Sequence, residues 1–199
     1  MRIPLWLKVV WTAWVIIWIP IYWHTYGAQN FLFFCDLGNL LICVGLWLES
    51  PLIFSWQACS LLLFQTLFTI DLVGALVSGK HIIGASEYMF DPHLAIGVRL
   101  LSLFHVVVPP LLLWAIWRLG YDDRGWKLQT LTACIVIPIN FFWRPRMDVN
   151  WARGPFFQEQ HVVPGLAYLV FYLVVVTLVV YWPTHLLLHR WVGKFRINA

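Results

Sequence analysis

Charge is scarce in this chain: 11% of its 199 residues are Asp, Glu, Lys or Arg, where a soluble domain carries about 25%. With 61% hydrophobic residues, that shortage excludes an ordinary water-soluble fold and points to a protein solvated by lipid. Cysteine is scarce too. Cys35, Cys43, Cys59 and Cys134 lie within apolar runs and form no CxxC pair, so neither a disulfide framework nor a zinc knuckle has support and each reads as a small buried hydrophobe. No HExxH or comparable compact catalytic motif is present. No small-residue cleavage site follows the apolar run behind Arg2 and Lys8, so that run reads as an uncleaved first span. No internal repeat is evident, and the inverted-repeat plan of many secondary transporters is therefore missing.

Tryptophan, by contrast, is plentiful. Fourteen are present, several near the ends of apolar runs with tyrosines beside them, as in the aromatic belts at bilayer interfaces. Trp11, Trp14, Trp18 and Tyr22 share one helical face. Such a stripe most often packs or faces lipid, and a flat polyene or quinone lying on it is the rarer alternative.

A span needs about 20 apolar residues. Six stretches qualify, at residues 5–23, 30–48, 51–77, 93–118, 126–143 and 163–187, and they predict an all-α, polytopic membrane protein: one domain over 1–199, a bundle of six transmembrane helices. Only Glu49, Ser50 and Pro51 separate the second span from the third, which makes those helices antiparallel neighbours joined by a tight turn. With the N-terminus inside, Arg2, Lys8, Arg118, Arg124, Lys127, Arg190, Lys194 and Arg196 fall on the inner side, and Lys80, Arg144, Arg146 and Arg153 on the outer. The positive-inside rule then places both termini in the cytoplasm. The net charge of +4 sits in short loops and at the C-terminus, where anionic headgroups are nearer than nucleic acid. Membrane lipids are the expected partners, and no cofactor is legible.

Ionisable residues inside spans carry the functional reading, because a mid-membrane Asp costs about 2.5 to 3.5 kcal/mol and needs a partner or a hydrated cavity. Counted from the outer ends of their helices, Asp36 and Asp71 lie at matched depth, with Arg99 beside them. Asp36 and Asn39 on the second span, Asp71 on the third, and Arg99, Ser102 and His105 on the fourth form polar stripes that can face one outward-opening pocket, with Asn140 as a further contributor. The plain reading is a buried ion network in which Arg99 pairs with both acids and holds the bundle in register. Three functional readings stand beside it. Arg99 holds an anionic headgroup and the aromatic face its tail; or the acids and His105 hold a metal or act as general base in a lipid hydrolase or transferase; or Asp36, Asp71 and His105 relay protons or cations. The first is the preferred expectation.

His185 and His189 are spaced i to i+4, a metal-ligand spacing, at a helix end rich in Arg and Lys, where interaction with headgroups and the helix dipole is the simpler account. His24, His81, His93 and His161 fall at or near the outer face. The outer loops 78–92 and 143–161 are too long to be mere turns; the second holds Asp148, Asn150, Trp151, Arg153 and Gly154-Pro155, and loops of this length carry function or serve as lids.

The HxxxH in the last helix resembles that of the membrane hydrolases that include alkaline ceramidases and adiponectin-receptor-like proteins. In those the motif lies near the start of a seventh helix, on the side of a third His and an Asp. Here it ends the last helix, opposite Asp36 and Asp71, so the ligands are not carried over. The phrases RIPLWLKVVWTAWV, YGAQNFLFFCDLGNLL, LWLESPL, YMFDP, LSLFHVVVPPLLLW, RLGYDDRGW and WPTHLLLHR resemble an uncharacterised bacterial family of membrane-associated proteins. That resemblance implies an integral protein of a bacterial cytoplasmic membrane, and no activity.

Overall fold

The computed structural model describes residues 2–143 and 148–197, and among them there are helices and turns but no strand. Helix α1 is Leu5–Tyr26, α2 Phe34–Leu48, α3 Pro51–Ser78, α4 Ile96–Leu101, α5 Phe104–Leu119, α6 Gly125–Trp143, α7 Gly165–Val175 and α8 Trp182–Ile197, with one π-helical turn, Val176–Tyr181, between the last two. Four helical runs are long and apolar enough to cross a membrane: Leu5–Tyr26, Pro51–Ser78, Ile96–Leu119 and Gly165–Val192. Between 22% and 39% of each apolar window is buried inside the protein. The rest of that apolar surface faces outward, which water would oppose and acyl chains accept.

Two expected spans change shape. The stretch from residue 30 does not start as α-helix: a 3-10 turn, Ala28–Leu32, packs between α1 and α2, and α2 begins at Phe34, leaving 15 residues, about 22 Å of helix. The stretch 126–143 folds as α6 but, carrying Lys127, Gln129 and Asn140, is outside the set apolar enough to span. Arg144 and Arg146 of the orientation argument, and the side chains of Lys194 and Arg196, lie outside the described residues.

The turn between α2 and α3 follows from its three residues. Glu49 adopts the left-handed conformation that stops α2, Ser50 accepts a hydrogen bond from the Ile53 N–H as N-cap, and Pro51 opens α3 where no N–H is needed. The antiparallel register that results places Gly45 against Ile53 and Phe54, and Gly38 against Leu61 and Gln57.

Helix α3 is central, packed on α2, α5, α6 and α8, with α1 laid over α2 and the end of α4, where Tyr22 meets Ser102. The tryptophan stripe of α1 turns inward: Trp11, Trp18 and Tyr22 are buried, Trp14 stacks on Trp18, and Phe31 and Phe104 close against them edge-on. It is core, and the polyene or quinone alternative has no open face to use.

The helices run between two ends. At one, Lys8 bonds Glu49, Arg118 reaches the Arg2 carbonyl, and the Asp122 N–H bonds Ser55; this is the end of the chain termini. At the other, the segments 79–95 and 148–164 fold over the helices and form the loop end.

Candidate functional site

The two buried acids are not partners of one another or of Arg99. Asp36 lies thirteen residues before Glu49, and Asp71 twenty-one after Ser50. Because both helices leave the same tight turn, Asp71 stands about 12 Å farther toward the loop end, at about 1.5 Å per residue. The matched depth expected from the helices' outer ends fails because α3 overshoots α2, whose outer residues are spent on the 3-10 turn.

Asp71 is held by the loop that follows α3. Its Oδ1 accepts the N–H groups of Ile82 and Ile83, each at 2.7 Å, and of Gly84 at 3.1 Å. Its Oδ2 accepts the N–H and hydroxyl of Ser86 and sits 3.1 Å from His81 Nδ1. The segment 79–86 has no regular structure to occupy those donors, so the carboxylate organises it. Asp36 is buried at the base of the 3-10 turn, where the Asn30 amide donates to Oδ2 and Cys35 Sγ approaches Oδ1 at 3.8 Å.

Arg99 is half-buried on α4 and donates from Nη1 to the Met89 carbonyl at 3.2 Å, while its Nε is enclosed without a hydrogen-bond partner. Among the described residues no ion pair joins it to an acid. Ser102 shares a short hydrogen bond with Tyr22 and also donates to the Val98 carbonyl. His105 lies between Phe68 and Phe104, with ring centroids 4.4 and 4.1 Å away, and its Nδ1 has no partner. Among the described residues no acidic side chain pairs with it. Asn39 is fully buried with both amide atoms unpartnered and with its carbonyl accepting from Trp11; Asn140 donates back to Val136. Of the seven residues expected around one pocket, Asp36 and Ser102 come together about Tyr22, Asp71 is taken up by the loop after α3, and among the described residues no ion pair joins Arg99 to an acid, so the expected Arg99 pairs are not seen.

A cavity lies elsewhere, at the loop end, among the described residues. A half-open cleft of about 510 Å³ separates the end of α6 from the start of α7, walled by Phe141, Arg153, Glu159, His161, Val163 and Gly165 among others. Its rim is built from Asp148, which is buried and accepts the N–H groups of Arg153 and Gly154 at 3.1 and 3.2 Å, with the Arg153 Nε at 3.6 Å. Burial pushes the Asp148 carboxyl above its usual range, and the bonds from Arg153 and Gly154 pull the other way. Asn150 ties the rim to the bundle by accepting from the Phe34 N–H and donating to the Leu32 carbonyl, and Tyr168 reaches the Trp151 carbonyl. Sequence reasoning named this loop for its length and its Asp, Asn and Arg, but did not see that it encloses a cavity. Below the cleft the outer faces of α6 and α7 are apolar and exposed, at Ile139, Phe142, Leu166, Val170 and Phe171.

At the opposite end His185 Nδ1 lies 2.9 Å from the Tyr121 hydroxyl and His189 Nδ1 lies 2.7 Å from Asp123. Among the described residues no three His, Cys, Asp or Glu side chains converge as a metal cage.

No protein-family model, no curated protein and no solved structure matches this chain.

Proposed function

We propose that the chain is a six-pass integral protein of a bacterial cytoplasmic membrane, with both termini cytoplasmic, that holds the anionic headgroup of a lipid-like ligand at its extracytoplasmic end. The observation that carries the binding reading is the cleft between α6 and α7. It gathers Arg153 and His161 with Phe141 and Val163 on one wall, next to the exposed apolar faces of α6 and α7. A phosphate or carboxylate would share the guanidinium with Asp148, which pairs with it at 3.6 Å, and an acyl chain fits the face beside it. Glu159 on the same wall disfavours a second negative charge and so favours a singly charged headgroup. The bacterial assignment rests on the sequence phrases quoted above. The orientation is supported by the described cations, with Arg2, Lys8, Arg118, Arg124, Lys127 and Arg190 toward the terminal end and Lys80, Arg99 and Arg153 toward the loop end.

The test is lipid analysis of protein purified in mild detergent, followed by native mass spectrometry against phosphatidylglycerol and phosphatidylcholine. Retained phosphatidylglycerol, lost in Arg153→Ala and His161→Ala, supports the reading. Equal retention of both lipids by all three proteins overturns it. The backbone N–H of Arg153 that bonds Asp148 survives the alanine substitution, so the rim keeps its frame.

A proton or cation relay is the second reading, favoured by the enclosed and unpartnered amide atoms of Asn39, Gln57, Gln65 and Gln129. Such groups in a membrane interior are settings for ordered water. Proton flux in liposomes that Asp36→Asn abolishes would establish it. The hydrolase reading gains nothing from His105, which has no acidic partner.

A further inference from the structure

The terminal end carries a second arrangement that the cleft does not use. His185 and His189 stand one turn apart on α8 with ring centroids 5.8 Å from each other. Both rings spend Nδ1 on the connection between α5 and α6: His185 on the Tyr121 hydroxyl and His189 on the Asp123 carboxylate. Trp126 and Trp182 pack on the His185 ring and fix its plane. Metal-binding histidines are regularly oriented in this way, with the non-coordinating nitrogen held by a carboxylate or another polar group. The holding groups are in place here before any ion is considered.

We propose that His185 and His189 bind one divalent transition-metal ion through their Nε2 atoms, with Tyr121 and Asp123 as positioning residues. The tautomers permit it. His189 donates Nδ1–H to Asp123, which leaves a lone pair on Nε2. His185 does the same when its Nδ1–H points at the Tyr121 oxygen and the Tyr121 O–H turns to Cys59 Sγ, 3.4 Å away. The Cys59 sulfur is thus what frees Tyr121 to act as acceptor. Two imidazoles select zinc, nickel or copper over magnesium or calcium. With no third protein ligand among the described residues, water completes the coordination and the ion exchanges readily, as at an open site rather than a closed structural one. Lys127 opposes the ion and Asp123 favours it, both within electrostatic reach of His185. The site stands independently of the headgroup reading, at the other end of the bundle.

The test uses the full chain without a polyhistidine tag, titrated in detergent with zinc by calorimetry and with copper by electron paramagnetic resonance. One equivalent of metal is expected, with nitrogen hyperfine structure from two imidazoles on copper. His189→Ala, at an exposed position that leaves packing intact, should remove binding, and Asp123→Asn should weaken it about 10- to 100-fold. His161→Ala should change nothing. Failure to bind any of zinc, nickel or copper, or binding that persists in His189→Ala, overturns the site. Equal affinity in Asp123→Asn overturns the positioning role.

Discussion

Asp71 and Ser86 meet twice. One carboxylate oxygen accepts both the Ser86 N–H, at 2.9 Å, and its hydroxyl, at 2.6 Å, across fifteen residues of chain. With the N–H groups of Ile82, Ile83 and Gly84 on the other oxygen, this carboxylate is the fastening of the loop end. An Asn in its place turns one acceptor into a donor facing donors. Asp71→Asn is expected to lower stability by about 3 kcal/mol or more, because each hydrogen bond to a buried charge is worth about 1.5 to 3 kcal/mol. Protease cleavage should appear within 79–86. Ser86→Ala should show a smaller loss in the same melting assay, and equal melting temperatures for wild type and Asp71→Asn would refute the fastening.

Glu49 fastens the other end. It accepts from Lys8 Nζ and from the N–H groups of Arg2 and Ile3, and the Lys8 bond is the largest cause holding its carboxyl at about 2, below the ordinary 4.5. A depressed carboxyl contributes stability that is fully present above the unfolded value and is lost as pH falls through the folded one. The melting temperature of the wild type should therefore fall between about pH 4.5 and pH 2, and Glu49→Gln should show a flatter curve across that window. Parallel curves would exclude this pair as a source of acid sensitivity.

His105 should be dispensable. Its ring fills space between Phe68 and Phe104 while Nδ1 stays unpartnered. His105→Leu removes that orphan atom at similar volume, so stability should hold or rise by about 1 kcal/mol. Ligand retention at the cleft should be unchanged. A loss of ligand or of any turnover in this variant would restore His105 as a functional group.

Gly154 is needed because of space. A Cβ there would lie 1.9 Å from the Gln158 carbonyl oxygen and 2.7 Å from the Gln160 N, so Gly154→Ala must push out the segment that walls the cleft. Headgroup binding is expected to weaken at least tenfold, about 1.4 kcal/mol, with helix content by circular dichroism unchanged. Retained affinity would show that the cleft wall is not part of the binding surface.

Much of this protein was legible along the chain. Partition into lipid is a sum over neighbouring residues, so the apolar runs alone yield an all-helical chain with four helices apolar enough to span a membrane, and Ser50 with Pro51 marks the tight turn into α3. The tryptophan stripe likewise follows from helical period. What the chain could not show was who partners whom. Asp71 is satisfied mainly by backbone N–H groups, which every residue but proline carries and which leave no mark in the sequence; arginine, the visible partner, was the wrong one. The depth of Asp36 relative to Asp71 depended on where α2 gives way to a 3-10 turn, and the cleft depended on how Asp148 and Asn150 fold a loop back on the bundle. These are decided by tertiary packing because a carboxylate's partner is set by distance in space, and contacts across 10 or more residues of separation are invisible to local pattern.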